Sequence, residues 1–240
     1  MPDRQNKRSG SKAGLSSGRN TMGNKKYGND DSREKGRTLS EAEQRRLAAF
    51  EELSKEMEEK GYRRTELTIS IVKANVFAVA LLVPLFAIGL WLYYAKNGGF
   101  HNIGGPALSA ALLGAIVILV PLHELIHGLS WALYTGNGFK DIEFGFMKQY
   151  LTPYCTCAVP LSKGQYIFGA LMPLVLLGIV PMIAGILLDS FITLIIGIVM
   201  ADSAAGDIMI VWNILRYKSS ADDIVYIDHP TQGGGVIFER

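Results

Sequence analysis

The sequence predicts an all-α, multi-pass membrane protein with about four transmembrane helices and a short β-hairpin-like loop between the second and third. The first observation behind this reading is where the charges fall. Of 240 residues, 49% are hydrophobic and 19% charged. Residues 67–215, however, hold only 5 of the 24 Lys/Arg and 6 of the 22 Asp/Glu. A soluble stretch would carry roughly a quarter charged residues, so a soluble globular fold is excluded for this part of the chain. The second observation is that the same stretch divides into four apolar runs. Each is long enough to cross a hydrocarbon core of roughly 30 Å at 1.5 Å per residue. The third is that all but one of the basic residues flanking these runs fall on one side.

Residues 1–38 contain Gly, Ser, Asn, Lys and Arg with almost no large apolar side chain. Such a stretch cannot bury enough surface to offset its ordering entropy and is expected to be a disordered basic tail. Its 10 Lys/Arg against 4 Asp/Glu suit anionic membrane lipid, while the overall net charge of +2 argues against a nucleic-acid partner. With more than 60 polar residues ahead of the first apolar run, no cleavable signal peptide is expected.

Residues 39–61 read as an amphipathic cytoplasmic helix. Ser40 and Glu43 fit a capping box, Leu47, Phe50, Leu53 and Met57 recur at helical spacing, and Gly61 suits the C-terminal end. The transmembrane domain is placed at 67–215 and a cytoplasmic C-terminal tail at 216–240. The apolar runs lie at about 74–94, 107–134, 167–188 and 191–215. Trp91, Tyr93 and Tyr94 suit an interfacial belt at the end of the first. Pro121 interrupts the second, and Asp189-Ser190 joins the last two as a tight antiparallel pair. Lys/Arg are dense before the first run and present at 140, 148, 163, 216 and 218, whereas the 95–106 loop has only Lys96. Four spans then put both termini in the cytoplasm.

The second run contains Pro121-Leu122-His123-Glu124-Leu125-Ile126-His127-Gly128. On a helix, His123 and His127 share a face one turn apart, the spacing that two nitrogen ligands of one zinc ion require. Glu124 projects beside them, placed to take a proton from a metal-bound water without being a ligand. With four histidines and twelve glutamates in the chain, a shuffled sequence would contain this pattern roughly 0.003 times. Three ionisable residues within five positions of an apolar run also need something to offset their desolvation.

A catalytic zinc takes a third protein ligand. His101 and His229 fall in hydrophilic segments, whereas the fourth run offers Asp202 and Asp207. His123 lies 16 residues from Ala107 and Asp207 lies 16 from Phe191, so each is about 24 Å in from the outer end and the two are level. Asp202 is about one and a half turns shallower, which makes Asp207 the preferred ligand and Asp202 the alternative. Ala201, Ser203, Ala204, Ala205 and Gly206 are small enough to let the fourth helix approach the second.

The His-Glu-x-x-His-Gly run, the polar Pro153-Tyr154-Cys155-Thr156-Cys157 stretch, Gly206-Asp207 in the last span and Asp228-His229-Pro230 together resemble a family of bacterial zincin peptidases, the domain of unknown function 3267. That family is itself similar to the site-2 intramembrane metalloproteases. The resemblance covers roughly residues 67–235. It implies zinc bound by His123, His127 and Asp207, with Glu124 as the catalytic base. The site-2 Leu-Asp-Gly motif, preceded there by Asn and Pro, is Ala205-Gly206-Asp207-Ile208 here.

In the loop between the second and third runs, Ile142, Phe144 and Phe146 alternate with Glu143, Gly145 and Met147, and residues 150–159 continue in a β-prone composition. A hairpin there can receive an unwound substrate by strand addition. Cys155 and Cys157, two residues apart, are too few and too close for a disulfide framework and read as reduced, packed thiols. The expected function is a zinc metalloendopeptidase acting within or beside the cell membrane on a membrane-protein or peptide substrate. The rivals are a catalytically silent zinc-binding membrane scaffold and a small metal transporter.

Overall fold

The computed structural model describes residues 39–101, 105–147 and 152–240. The expected disordered tail at 1–38, and Tyr150 and Leu151 of the expected extended stretch, lie outside these residues. The chain is mostly helical, in the order α1 (Glu41–Glu59), β1 (Arg63–Thr68), α2 (Ile71–Asn97), α3 (Pro106–Ala132), β2 (Ile142–Met147), β3 (Thr152–Cys157), α4 (Lys163–Pro173), α5 (Val180–Leu187), α6 (Phe191–Ser203), α7 (Ala205–Arg216), β4 (Ile224–Asp228) and β5 (Gly234–Glu239). A π-helical segment, Leu174–Ile179, joins α4 to α5 without a break.

α1 starts as its sequence dictates. The Ser40 hydroxyl accepts the Glu43 N–H while the Glu43 carboxylate accepts the Ser40 N–H, which satisfies amides that the first turn leaves free. Phe50 and Met57 bury against Ile227, Val236 and Phe238, so the apolar stripe of α1 rests on a sheet.

That sheet is the main departure from the all-α expectation. β1, β5 and β4 form a three-stranded antiparallel sheet in that order; residues 216–240 thus carry two of its strands. Arg63 pairs with Glu239 and Thr68 with Gly234, closing a loop of about 170 residues. The local signal was present: two β-branched and aromatic stretches, Ile224–Asp228 and Gly234–Glu239, separated by a Pro/Gly-containing turn. The partner strand β1 is too charged to announce itself.

α2, residues Ser109–Ala132 of α3, and the continuous Lys163–Leu187 helix are each long and apolar enough to cross a bilayer. The helix of α3 runs through Pro121. Large apolar side chains line the outside, Val76, Val79 and Val83 on α2 and Leu113, Val117 and Ile118 on α3 among them. α5 and α6 form the tight antiparallel pair expected across Asp189-Ser190.

The fourth apolar run is broken: α6 and α7 meet at 47°. The Ser203 hydroxyl donates to the Met200 carbonyl over 2.7 Å, and Ala204 leaves helical geometry at φ −81°, ψ 9°. Back-bonding of this kind bends helices. The run of small residues also packs elsewhere than expected. Ala201 abuts Gly178 of the third span, where a Cβ on Gly178 would sit 2.9 Å from the Ala201 Cα, while a Cβ on Gly206 would meet nothing within 4 Å. The close approach is to the third span, and α7 reaches α3 through the side chain of Asp207.

Candidate metal centre

Three residues of α3, His123, His127 and Trp131, recur every fourth position and form one inward face. The break before α7 puts Asp207 in that helix's first turn, where the N-terminal dipole favours a carboxylate. Its Oδ2 lies 3.2 Å from His123 Nε2 and its Oδ1 3.5 Å from His127 Nε2. One donor atom from each residue falls within 4.8 Å of the others. The imidazoles are buried.

These positions fit zinc. Ligand bonds of about 2.0–2.1 Å at tetrahedral angles put neighbouring ligand atoms about 3.3–3.4 Å apart. Here each imidazole Nε2 lies near that distance from one Asp207 oxygen, 3.2 Å from Oδ2 for His123 and 3.5 Å from Oδ1 for His127, and the three donors fall within 4.8 Å of one another. The donor set of two imidazole nitrogens and a carboxylate oxygen is one that zinc accepts. The tautomer of His127 fits as well. Its Nδ1 lies 2.9 Å from the Gly169 carbonyl, which only accepts, so Nδ1 carries the proton and the Nε2 lone pair faces Asp207. His123 Nδ1 is buried without a hydrogen-bond partner among the described residues.

Asp202, the alternative ligand, lies on α6 outside this donor group. His101 is far away along the chain's fold, where its Nδ1 sits 2.9 Å from Asp189 at the α5–α6 turn. Glu124 lines the same pocket as the two histidines and Asp207, within reach of the backbone N–H of Cys155.

The surroundings hold the histidines in place. The Trp131 ring stacks on His127 at 5.3 Å between centroids and 15° between planes. Trp131 Nε1 donates to the Tyr166 carbonyl over 3.2 Å. Gly128 lets the β2–β3 hairpin settle on α3, since a Cβ there would lie 2.6 Å from Phe144 Cζ and 3.3 Å from Cys155 Sγ. A Cβ on Gly169 would fall 2.1 Å from the Trp131 ring. Gly169→Ala is therefore expected to displace the indole and loosen the carbonyl that orients His127. Overpacking of this kind costs about 1–3 kcal/mol, and zinc affinity is expected to fall roughly 10- to 100-fold. Thermal unfolding and competition with a zinc chelator measure the two effects. Gly164→Ala, where a Cβ meets nothing within 4 Å, is the control and should leave both unchanged.

Several pocket residues escaped the sequence reading: Trp131, Tyr166, Asp228, His229 and, from α1, Glu43 and Arg46. Asp228-His229-Pro230 was visible only as part of a resemblance. Asp228 accepts the Tyr166 hydroxyl and, over 2.8 Å, the Cys157 N–H, tying β4 to α4 and to β3. Burial pushes its carboxyl up from 3.8 to about 6. In the zinc-free protein, the folded state then holds a proton between about pH 4 and 6 that the unfolded chain has released. Stability from this group is highest below pH 4 and falls as pH rises to 6, by roughly 3 kcal/mol. Asp228→Asn should flatten that slope in melting curves taken from pH 4 to 8.

Cys155 and Cys157 are free. Burial pushes the Cys157 thiol up to about 12 and the Cys155 thiol well above the ordinary range, so neither offers a thiolate at neutral pH.

No curated protein and no solved structure matches the chain. The sequence pattern of one family does, and its span takes in His123, Glu124, His127 and Asp207. Residues 116–221 of this chain match the family DUF3267, "Putative zincin peptidase", and zinc is the cofactor that this family implies.

Proposed function

We propose that this protein is a membrane-embedded zinc metallopeptidase that hydrolyses a peptide bond within or next to the membrane, with Glu124 as the general base. The observation that carries the reading is the convergence of donor atoms of His123, His127 and Asp207 to within 4.8 Å of one another, with Glu124 in the same pocket. The apolar outer faces of α2 and α3 support a bilayer setting, since patches of that extent are rare on soluble monomers.

Zinc, when bound by His123, His127 and Asp207, lowers the pKa of water and polarises a carbonyl. Glu124 accepts the proton of the attacking water and delivers it to the leaving amine. The Gly169 carbonyl and Trp131 hold His127 in one tautomer and one orientation. His127 lies five residues from the end of α3 and Asp207 nine from the end of α7, so the site sits about 8–14 Å below the polar ends of these helices. That depth suits a peptide bond near the cytoplasmic boundary.

β3 turns an edge to the pocket whose N–H groups at Cys155 and Cys157 meet Glu124 and Asp228, and Pro153 has no N–H. An unwound substrate would therefore donate its own N–H groups to the β3 carbonyls. The experiment is to incubate the zinc-loaded protein in lipid vesicles with a peptide library and to identify new termini by mass spectrometry. Cleavage by wild type and none by Glu124→Gln supports the reading. No cleavage by zinc-loaded wild type across the library favours the scaffold.

A further inference from the structure

The metal-side residues of the pocket come from residues 116–221, but part of its lining does not. Glu43 and Arg46 of α1 and the turn between β4 and β5 form the mouth together with β3. α1 rests on the sheet through Phe50 and Met57, and one turn before Phe50 it extends Arg46 across the opening. The Arg46 side chain is 8% exposed. Its Nε donates to the Pro230 carbonyl over 3.2 Å, its Nη1 donates to the Tyr154 hydroxyl, and its guanidinium carbon lies 4.7 Å from the centre of the Tyr154 ring. Arg46 thus joins the two walls of the mouth, the β2–β3 hairpin and the β4–β5 turn.

The chemistry of this contact is that of a latch. A guanidinium buried for structure alone is normally held by a close carboxylate. Here its carboxylate partner among the described residues, Glu143, is 3.9 Å away and half-exposed, and its hydrogen bonds go to two neutral oxygens, with the guanidinium over a ring face. Such bonds hold the side chain in one place, yet opening them separates no close ion pair and leaves no buried carboxylate unpaired, so the contact can open. Phe50 and Met57, by contrast, lie on the buried side of α1 and stay with the sheet.

We propose that α1 gates the site, with Arg46 as the latch and the Phe50–Met57 contact as the fixed end. In the closed form Arg46 bridges Tyr154 and Pro230; in the open form it leaves both, and a peptide passes between the hairpin and the turn.

Two probes in the detergent-purified full chain read the gate. One is the rate at which EDTA removes zinc. The other is the rate at which N-ethylmaleimide alkylates Cys155, which lines the pocket, with Cys157 changed to Ala throughout. The zinc arm rests on the metal reading of the site and the thiol arm does not. Arg46→Ala is expected to raise both rates about tenfold, as losing a hydrogen-bonded latch implies. Tyr154→Phe, which keeps the ring and removes one acceptor, should raise them by a smaller factor even if Arg46→Ala folds poorly. Lys55→Ala, on an exposed face of α1, should match wild type. Thiol alkylation within twofold of wild type in both latch variants would overturn the gate whatever the metal does. Faster alkylation in a protein that holds no zinc would keep the gate and remove the metal reading.

Discussion

Glu124→Gln is expected to keep its zinc and lose its hydrolysis. The side chain is not among the donor atoms that converge on the metal position, so the amide should leave zinc content at the wild-type level. It cannot take up a proton, and a positioned general base contributes about 10²–10⁴-fold in rate. The fall should appear in kcat rather than KM, because the substrate is held by β3 and the mouth. Zinc content by atomic absorption and cleavage of a peptide found in the library screen give the two numbers. Equal hydrolysis by both proteins would remove Glu124 from the mechanism.

The second large effect is expected from His127→Ala and Asp207→Ala. Each removes one of three protein ligands, and zinc content should fall below about a tenth of wild type in both. Asp202→Ala, which sits outside the donor group, should retain zinc. These variants also separate the rival readings. A zinc-binding scaffold loses metal with His127→Ala while every phenotype survives Glu124→Gln. A transporter moves metal into liposomes.

What the sequence revealed and what it hid follow from the range of the interactions. Ser40 and Glu43 act three residues apart, so the α1 start could be read directly. The level of Asp207 with His123 followed from counting residues along two spans, because helical rise is fixed at 1.5 Å. That count survived the 47° break because the break lies within two turns of Asp207. The three-stranded sheet depends on β1 meeting β5 across some 170 residues, and register at that separation leaves no local trace. The partner of His127 is a backbone carbonyl, a group every residue carries. Gly169 stands out only when the Trp131 ring is seen above it. Nothing in the sequence sets Arg46 apart from the other charges of α1; its role depends on two distant segments that close around it.

The most direct measurement is zinc content and X-ray absorption of the purified wild-type protein. About one zinc per chain is expected, with nitrogen and oxygen neighbours at about 2.0–2.1 Å and no sulfur at about 2.3 Å. A sulfur neighbour would place Cys155 or Cys157 on the metal instead of Asp207. A folded protein that binds no zinc at all would contradict the metallopeptidase.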